Sequence, residues 1–107
     1  MKPTFTNFAS IGALVFKPTP GQVSADLAGE LAILDPKSGI YYGLDPVGAR
    51  IWSLLQPSAS PKTVQQIRDT LLEEYEVTAA QLETDLLALL ADLHGKALIE
   101  SADERAA

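Results

Sequence analysis

The stretch Gly39-Ile40-Tyr41-Tyr42-Gly43-Leu44-Asp45-Pro46-Val47-Gly48-Ala49-Arg50-Ile51-Trp52 constrains the chain more than any other. Ile40, Tyr41 and Tyr42 are β-branched or aromatic. Ile40, Tyr42 and Leu44 alternate with Tyr41, Gly43 and Asp45, the period of two that puts one set on each face of a sheet, so the run is a strand. Asp45 reads as a helix N-cap accepting from first-turn amides, with Pro46 at the first helical position, where a missing N–H costs nothing. Val47, Ile51, Leu54 and Leu55 then recur at helical spacing, with Trp52 widening the stripe, so this helix lays one side on a core and stops before Pro57.

Upstream, Asp35-Pro36-Lys37-Ser38-Gly39 is a turn: Asp caps it through its side chain, Pro presets φ, and Gly supplies a positive φ at the exit. It joins the Ile40–Leu44 strand to one expected from about Leu27 to Asp35, making a hairpin. Ala13-Leu14-Val15-Phe16 reads as a first strand closed by the Lys17-Pro18-Thr19-Pro20-Gly21 turn. Met1 to Ser10 shows no period and is expected to be a loose arm or a late-docking segment. Downstream, Ser60-Pro61 marks a second helix running to about Tyr75, with Val64, Ile67, Leu71 and Leu72 on its apolar side. Thr78-Ala79-Ala80-Gln81 matches a capping box, with Val77 and Leu82 placed as a hydrophobic staple. The third helix carries Leu82, Leu86, Leu89, Leu90 and Leu93 on one side and is expected to end at His94-Gly95. Ala97-Leu98-Ile99 is a short final strand or extended return, and Ser101 to Ala107 a frayed tail. The order of elements predicts one α+β domain over residues 1–107, a small three-stranded antiparallel sheet followed by three helices.

At 107 residues the chain can bury one core, and 47% apolar residues make it globular. With no cysteine it has no disulfide framework, thiol nucleophile or thiolate metal site, so a reducing interior such as the bacterial cytoplasm is the default. No secretory signal or membrane-spanning run is visible. A net charge of −6, with eight Lys and Arg spread along the chain, argues against a phosphate backbone as partner.

Catalysis finds little support. The single histidine, His94, has no second ligand near it in sequence and suits a helix C-terminus. Glu73, Glu74 and Asp85 fall on exposed helix positions, and Gly43 and Gly48 lack the lysine and hydroxyl of a phosphate loop. No metal or other cofactor is expected. Binding remains: a small sheet beside an amphipathic helix can capture an extended peptide by strand addition.

The residues from Gly39 to Leu55, with the aromatic pair Tyr41-Tyr42, the small-residue helix start Val47-Gly48-Ala49, the pairs Ile51-Trp52 and Leu54-Leu55, and the acidic Leu-rich helix pair that follows, resemble the PqqD-like family. These are recognition elements for ribosomally made peptide natural products, and the chain is most similar to the stand-alone type of lasso peptide pathways. The resemblance runs from about Leu31 to Ile99. It implies a winged-helix-like fold that binds the leader of a precursor peptide as a strand added along Ile40, Tyr41, Tyr42, Gly43 and Leu44. The leader lies in the groove against the third helix, where Leu82, Asp85, Leu86 and Leu89 are the candidate contacts. Asp85 is the candidate partner for a basic leader residue, and Arg50 is expected in a surface ion pair. The implied partners are the leader peptide and a processing enzyme, in lasso systems a leader peptidase, with no nucleic acid or membrane. Two other readings stand beside it: a winged-helix DNA-binding regulator, disfavoured because Thr78 to Leu93 carries Glu83, Asp85 and Asp92 but no Lys or Arg, and a non-catalytic subunit of a peptide- or cofactor-maturing enzyme.

Overall fold

The computed structural model describes residues 3–27, 30–56 and 59–102. Its elements are α1 (Phe8–Ile11), β1 (Phe16–Pro18), β2 (Val23–Leu27), β3 (Glu30–Asp35), β4 (Ile40–Leu44), α2 (Pro46–Leu55), α3 (Val64–Glu74), α4 (Ala79–Gly95) and β5 (Ile99–Ser101). The α+β class holds: β2, β3 and β4 form an antiparallel sheet in that order, and three long helices follow it. The composition of the sheet differs from the expected one. Val23, Ala25 and Leu27 alternate with Ser24 and Asp26, and this weak period of two supplies the third strand in place of residues 13–16. The expected strand from Leu27 starts at Glu30, Leu27 belongs to β2, and residues 28 and 29 lie outside the described residues.

The first expected strand is displaced to Phe16–Pro18 and pairs instead with β5, Phe16 opposite Ser101 and Pro18 opposite Ile99. Pro18 is tolerated because it ends a strand of a two-stranded ribbon, where one N–H can be spared. The N-terminal arm is docked rather than loose. Asn7 caps α1 by accepting from the Ser10 amide at 2.9 Å, Ile11 is fully buried, and Phe5 and Phe8 pack on the core. Ser101, expected in the frayed tail, is a buried strand residue.

The β3–β4 turn follows its sequence: Asp35 accepts from the Gly39 amide through its carbonyl at 2.8 Å and from the Lys37 amide through its carboxylate at 3.1 Å, and Gly39 has φ 75°. In register, Leu31 faces Leu44 and Ile33 faces Tyr42 on the inner face, where Ile33 and Leu44 are buried. The outer face carries Val23, Leu34 and Tyr41 in one cross-strand row, all exposed.

Asp45 caps α2 as expected, accepting from the Gly48 amide at 2.7 Å, and Ile51, Trp52, Leu54 and Leu55 are buried. Gly48 permits close packing here, because a Cβ would stand 3.0 Å from a Leu44 methyl and 3.2 Å from Asp45 Oδ1. The start of α3 is Thr63 rather than Ser60-Pro61. Thr63 and Gln66 form a full capping box, the Thr63 hydroxyl accepting from the Gln66 amide and the Gln66 side chain accepting from the Thr63 amide. The box expected at Thr78 is half made. Thr78 accepts from the Gln81 amide at 3.1 Å, but the Gln81 side chain turns down the helix and donates to Asp85 at 2.9 Å.

Helix α4 ends at Gly95 as expected, but its left-handed cap falls two residues later, at Ala97. The Leu98 amide donates to the Leu93 carbonyl and the Ala97 amide to His94, a Schellman motif whose left-handed position holds Ala97 at φ 59°. An alanine there strains the backbone that glycine adopts freely, so Ala97→Gly is expected to raise stability by about 0.5–1 kcal/mol, read as a higher Tm.

Candidate functional site

Among the described residues strand β4 pairs with β3 on one side only, so its other edge presents backbone groups with no strand partner beside the sheet. A groove of about 350 Å³ lies along this edge. Tyr42, Gly43 and Leu44 come from the strand, Asp45, Val47, Gly48 and Ile51 from the cap and start of α2, and Asp85 and Leu89 from α4. The strand-to-helix passage through Asp45 explains the assembly: it folds the first turn of α2 back against the end of β4, and the close approach at Gly48 leaves room at the groove's end.

Five of the nine residues expected from the sequence therefore meet in one place: Tyr42, Gly43, Leu44, Asp85 and Leu89. Ile40 is half-buried at the start of the edge and packs on the core. Tyr41 points to the opposite sheet face and is 62% exposed. Leu82 and Leu86 are core residues, and Leu86 has no exposed surface. Leu89 sits on the side of the α4 leucine stripe next to Asp85 and lines the groove with it, while Leu82, Leu86, Leu90 and Leu93 face the interior. Val47, Gly48 and Ile51 line the groove without having been singled out, although the cap at Asp45 already tied the first turn of α2 to the strand.

One end of the groove is pinned by polar contacts that the sequence did not suggest. The Tyr42 hydroxyl donates to Asp92 Oδ2 at 2.6 Å, Lys96 donates to Asp92 Oδ1 at 2.8 Å, and the Lys96 ammonium sits 5.6 Å from the Tyr42 ring centre. Strand β4 is thereby tied to α4. Desolvation, then the Asp92 contact, pushes the Tyr42 phenol up to about 12, whereas Lys96 and then Tyr42 hold the Asp92 carboxyl below its ordinary range. Because the folded state favours the neutral phenol, its stabilising effect is fully present below pH 10 and is lost as pH rises from 10 toward 12. Subtracting a Tyr42→Phe titration of unfolding free energy from that of the parent protein should isolate this loss, and equal slopes above pH 10 would refute it.

Elsewhere the charges are structural. Arg50 makes the expected ion pair, a two-pronged contact to Glu74 at 2.9 and 2.7 Å that joins α2 to α3, and Arg68 bridges Asp69 and Glu83. The His94 ring lies 5.3 Å from Phe5 and 6.4 Å from Phe16, where α4 meets the N-terminal part of the chain. Among the described residues no group of three or more His, Asp or Glu could hold a metal ion, and no helix is long and apolar enough to cross a membrane.

Two solved structures are similar in fold. TbiB1 in complex with the TbiA(beta) leader peptide is 39% identical, with a TM-score of 0.69, over 78% of this chain and 94% of that one. Lasso peptide synthetase B1 complexed with the leader peptide is 26% identical, with a TM-score of 0.68, over 78% and 95%. No curated protein matches. The model of the family of coenzyme PQQ synthesis protein D matches residues 30–99, the span that contains β3, β4, α2, α3 and α4 and hence every wall of the groove. On that match, and with the strand, cap and helix pattern that builds the groove, the chain belongs to the PqqD family.

Proposed function

We propose that this protein binds the leader segment of a ribosomally made precursor peptide as an added strand on the β4 edge, and delivers it to a separate processing enzyme of the leader-peptidase type. The observation that carries the reading is the unpaired β4 edge running beside a groove closed by α4, in a fold whose 39%-identical relative is in complex with a leader peptide. Each strand–strand hydrogen bond contributes about 1 kcal/mol net, so a handful gives weak affinity alone. Apolar leader side chains seated against Val47, Ile51 and Leu89 supply the remainder, and the backbone bonds set the register. The domain acts without chemistry of its own: its part is to hold the leader extended while the enzyme works on the rest of the precursor.

Asp85 gives the groove a negative wall, since among the described residues its hydrogen-bond donor is the neutral Gln81 amide. A leader with a Lys or Arg facing α4 should pair with it. The direct test is a titration of isotope-labelled protein with leader peptides such as that of TbiA(beta), in which the backbone amides of residues 40–44 are expected to shift. Silence of those amides with every such peptide would end the strand-addition reading. With a basic leader, Asp85→Lys is expected to weaken binding about fivefold to tenfold, the scale of one exposed ion pair turned repulsive, and unchanged affinity would remove Asp85 from the site.

A further inference from the structure

A strand that adds to the β4 edge turns its side chains alternately to the two faces of the sheet, so a leader held there meets more than the groove. Its inward side chains face α4. Its outward ones extend the opposite face, which the strand register resolves into two cross-strand rows: Val23, Leu34 and Tyr41 in one, Ala25, Ala32 and Gly43 in the next. Neither row holds a charged residue. Tyr41 ends the first row at the open edge and is the most exposed large apolar side chain among the described residues. Gly43 ends the second row with no side chain at all, a feature of strands that another chain approaches closely. Apart from its sequence neighbours, the only atom within 4 Å of the place a Gly43 Cβ would take is Cε1 of Tyr41, at 4.0 Å. The Tyr41 ring therefore leans along the strand and borders an open space over Gly43.

A residue opposite Gly43 in an added strand has its Cβ about 4.5–5.5 Å from the glycine on that same face, and Tyr41 is its diagonal neighbour, within reach of an aromatic ring. Because Gly43 offers no side chain, the flank of the Tyr41 ring is what an outward leader residue meets there. The absence of charge narrows the occupant. A leader Lys or Arg finds no carboxylate in either row, and a leader Asp or Glu finds no cation. An aromatic or branched apolar side chain instead takes the exposed ring flank out of water and lies against the end of the Val23–Leu34–Tyr41 row. We propose that Tyr41 is a specificity-determining residue of the leader site, selecting an aromatic or branched apolar leader residue at the outward position opposite Gly43. The proposal rests on strand addition at β4 and gives the leader a second face that is read, on the side of the sheet away from the groove.

The test titrates the protein with the TbiA(beta) leader peptide carrying Phe, Ala or Lys in turn at each position, and reads affinity by calorimetry. At one position Phe should bind about threefold to fivefold tighter than Ala, the scale of one aromatic cross-strand pair, and Lys should bind no tighter than Ala. Tyr41→Thr should abolish that preference and Tyr41→Phe should keep it. Thr is itself a strand former, so the first change removes the ring and leaves the preference of β4 for its conformation. The position should stand an odd number of residues from any whose preference for Phe depends on Leu89, as Leu89→Ala reveals, because the two face opposite sides of one strand. Nuclear Overhauser contacts from the Tyr41 ring to the same Phe check the pairing in the unaltered protein, whatever the variants do to folding. A preference that survives Tyr41→Thr, an equal gain with Lys, an even spacing or a Tyr41 ring without contact to the leader overturns the proposal. The amides of residues 40–44 keep the two readings apart. Shifted amides without a Tyr41-dependent position overturn the role of Tyr41 and keep strand addition, whereas unmoved amides overturn both.

Discussion

Leu86→Ala is expected to lower the free energy of unfolding by about 2–5 kcal/mol, the cost of emptying a fully enclosed leucine site. For a domain of this size that is a large share of total stability, since marginal folds hold on the order of 5–15 kcal/mol. Urea titration should show a lower midpoint at an unchanged slope. The same change should leave the leader affinity of the folded protein within about threefold, because Leu86 has no surface to offer a ligand. A loss of affinity larger than that in fully folded protein would mean that α4 shifts on binding and that the buried stripe enters the site.

Leu89→Asp is expected to do the reverse. Leu89 is half-buried, stands one turn along from Asp85 and lines the groove, so a carboxylate there removes an apolar wall and adds charge next to an acid. Anchor positions of this kind are worth 2 kcal/mol or more, so the leader dissociation constant should rise about thirtyfold or beyond, as isothermal calorimetry can measure. The stability cost should be smaller than that of Leu86→Ala, because the side chain is already partly in water. Unchanged affinity in folded Leu89→Asp protein would confine the peptide to the strand edge and its backbone bonds. The pair of variants thus separates leucines that hold the helix down from the one that faces outward, though all lie on one sequence stripe.

That separation marks the limit of what the residues disclosed beforehand. Strand β4, the Asp45 cap, the Asp35–Gly39 turn and the burial of Ile51 and Trp52 were legible because each depends on neighbours within a few positions. The α4 stripe was legible as a stripe, but which of its leucines meets the groove depends on helix rotation against β4, a tertiary choice. β2 escaped notice because Ser, Ala and Asp carry little strand preference, and its alternation is held by pairing with β3. The start of α3 was placed too early because Ser60-Pro61 imitates a helix start that the Thr63–Gln66 box makes in fact. The Tyr42–Asp92 hydrogen bond joins residues far apart in sequence and left no local trace, although the Asp92–Lys96 pair that it meets has helical i,i+4 spacing.

The ribbon of β1 and β5 bears on how the chain reaches this state during synthesis. Phe16 pairs with Ser101, the Thr19 amide donates to Leu98, and the Ala102 amide to Val15, so the N-terminal segment is held in part by residues made far later than itself. Strand β1 cannot complete its pairing until residue 101 has left the ribosome, whereas the Gly12 and Leu14 carbonyls can already accept from the Gln65 and Val64 amides. The groove residues, in contrast, all lie between 42 and 89 and can assemble earlier. A nascent chain arrested before residue 99 should therefore show the β3–β4 hairpin and its capped helix while β1 remains open to protease.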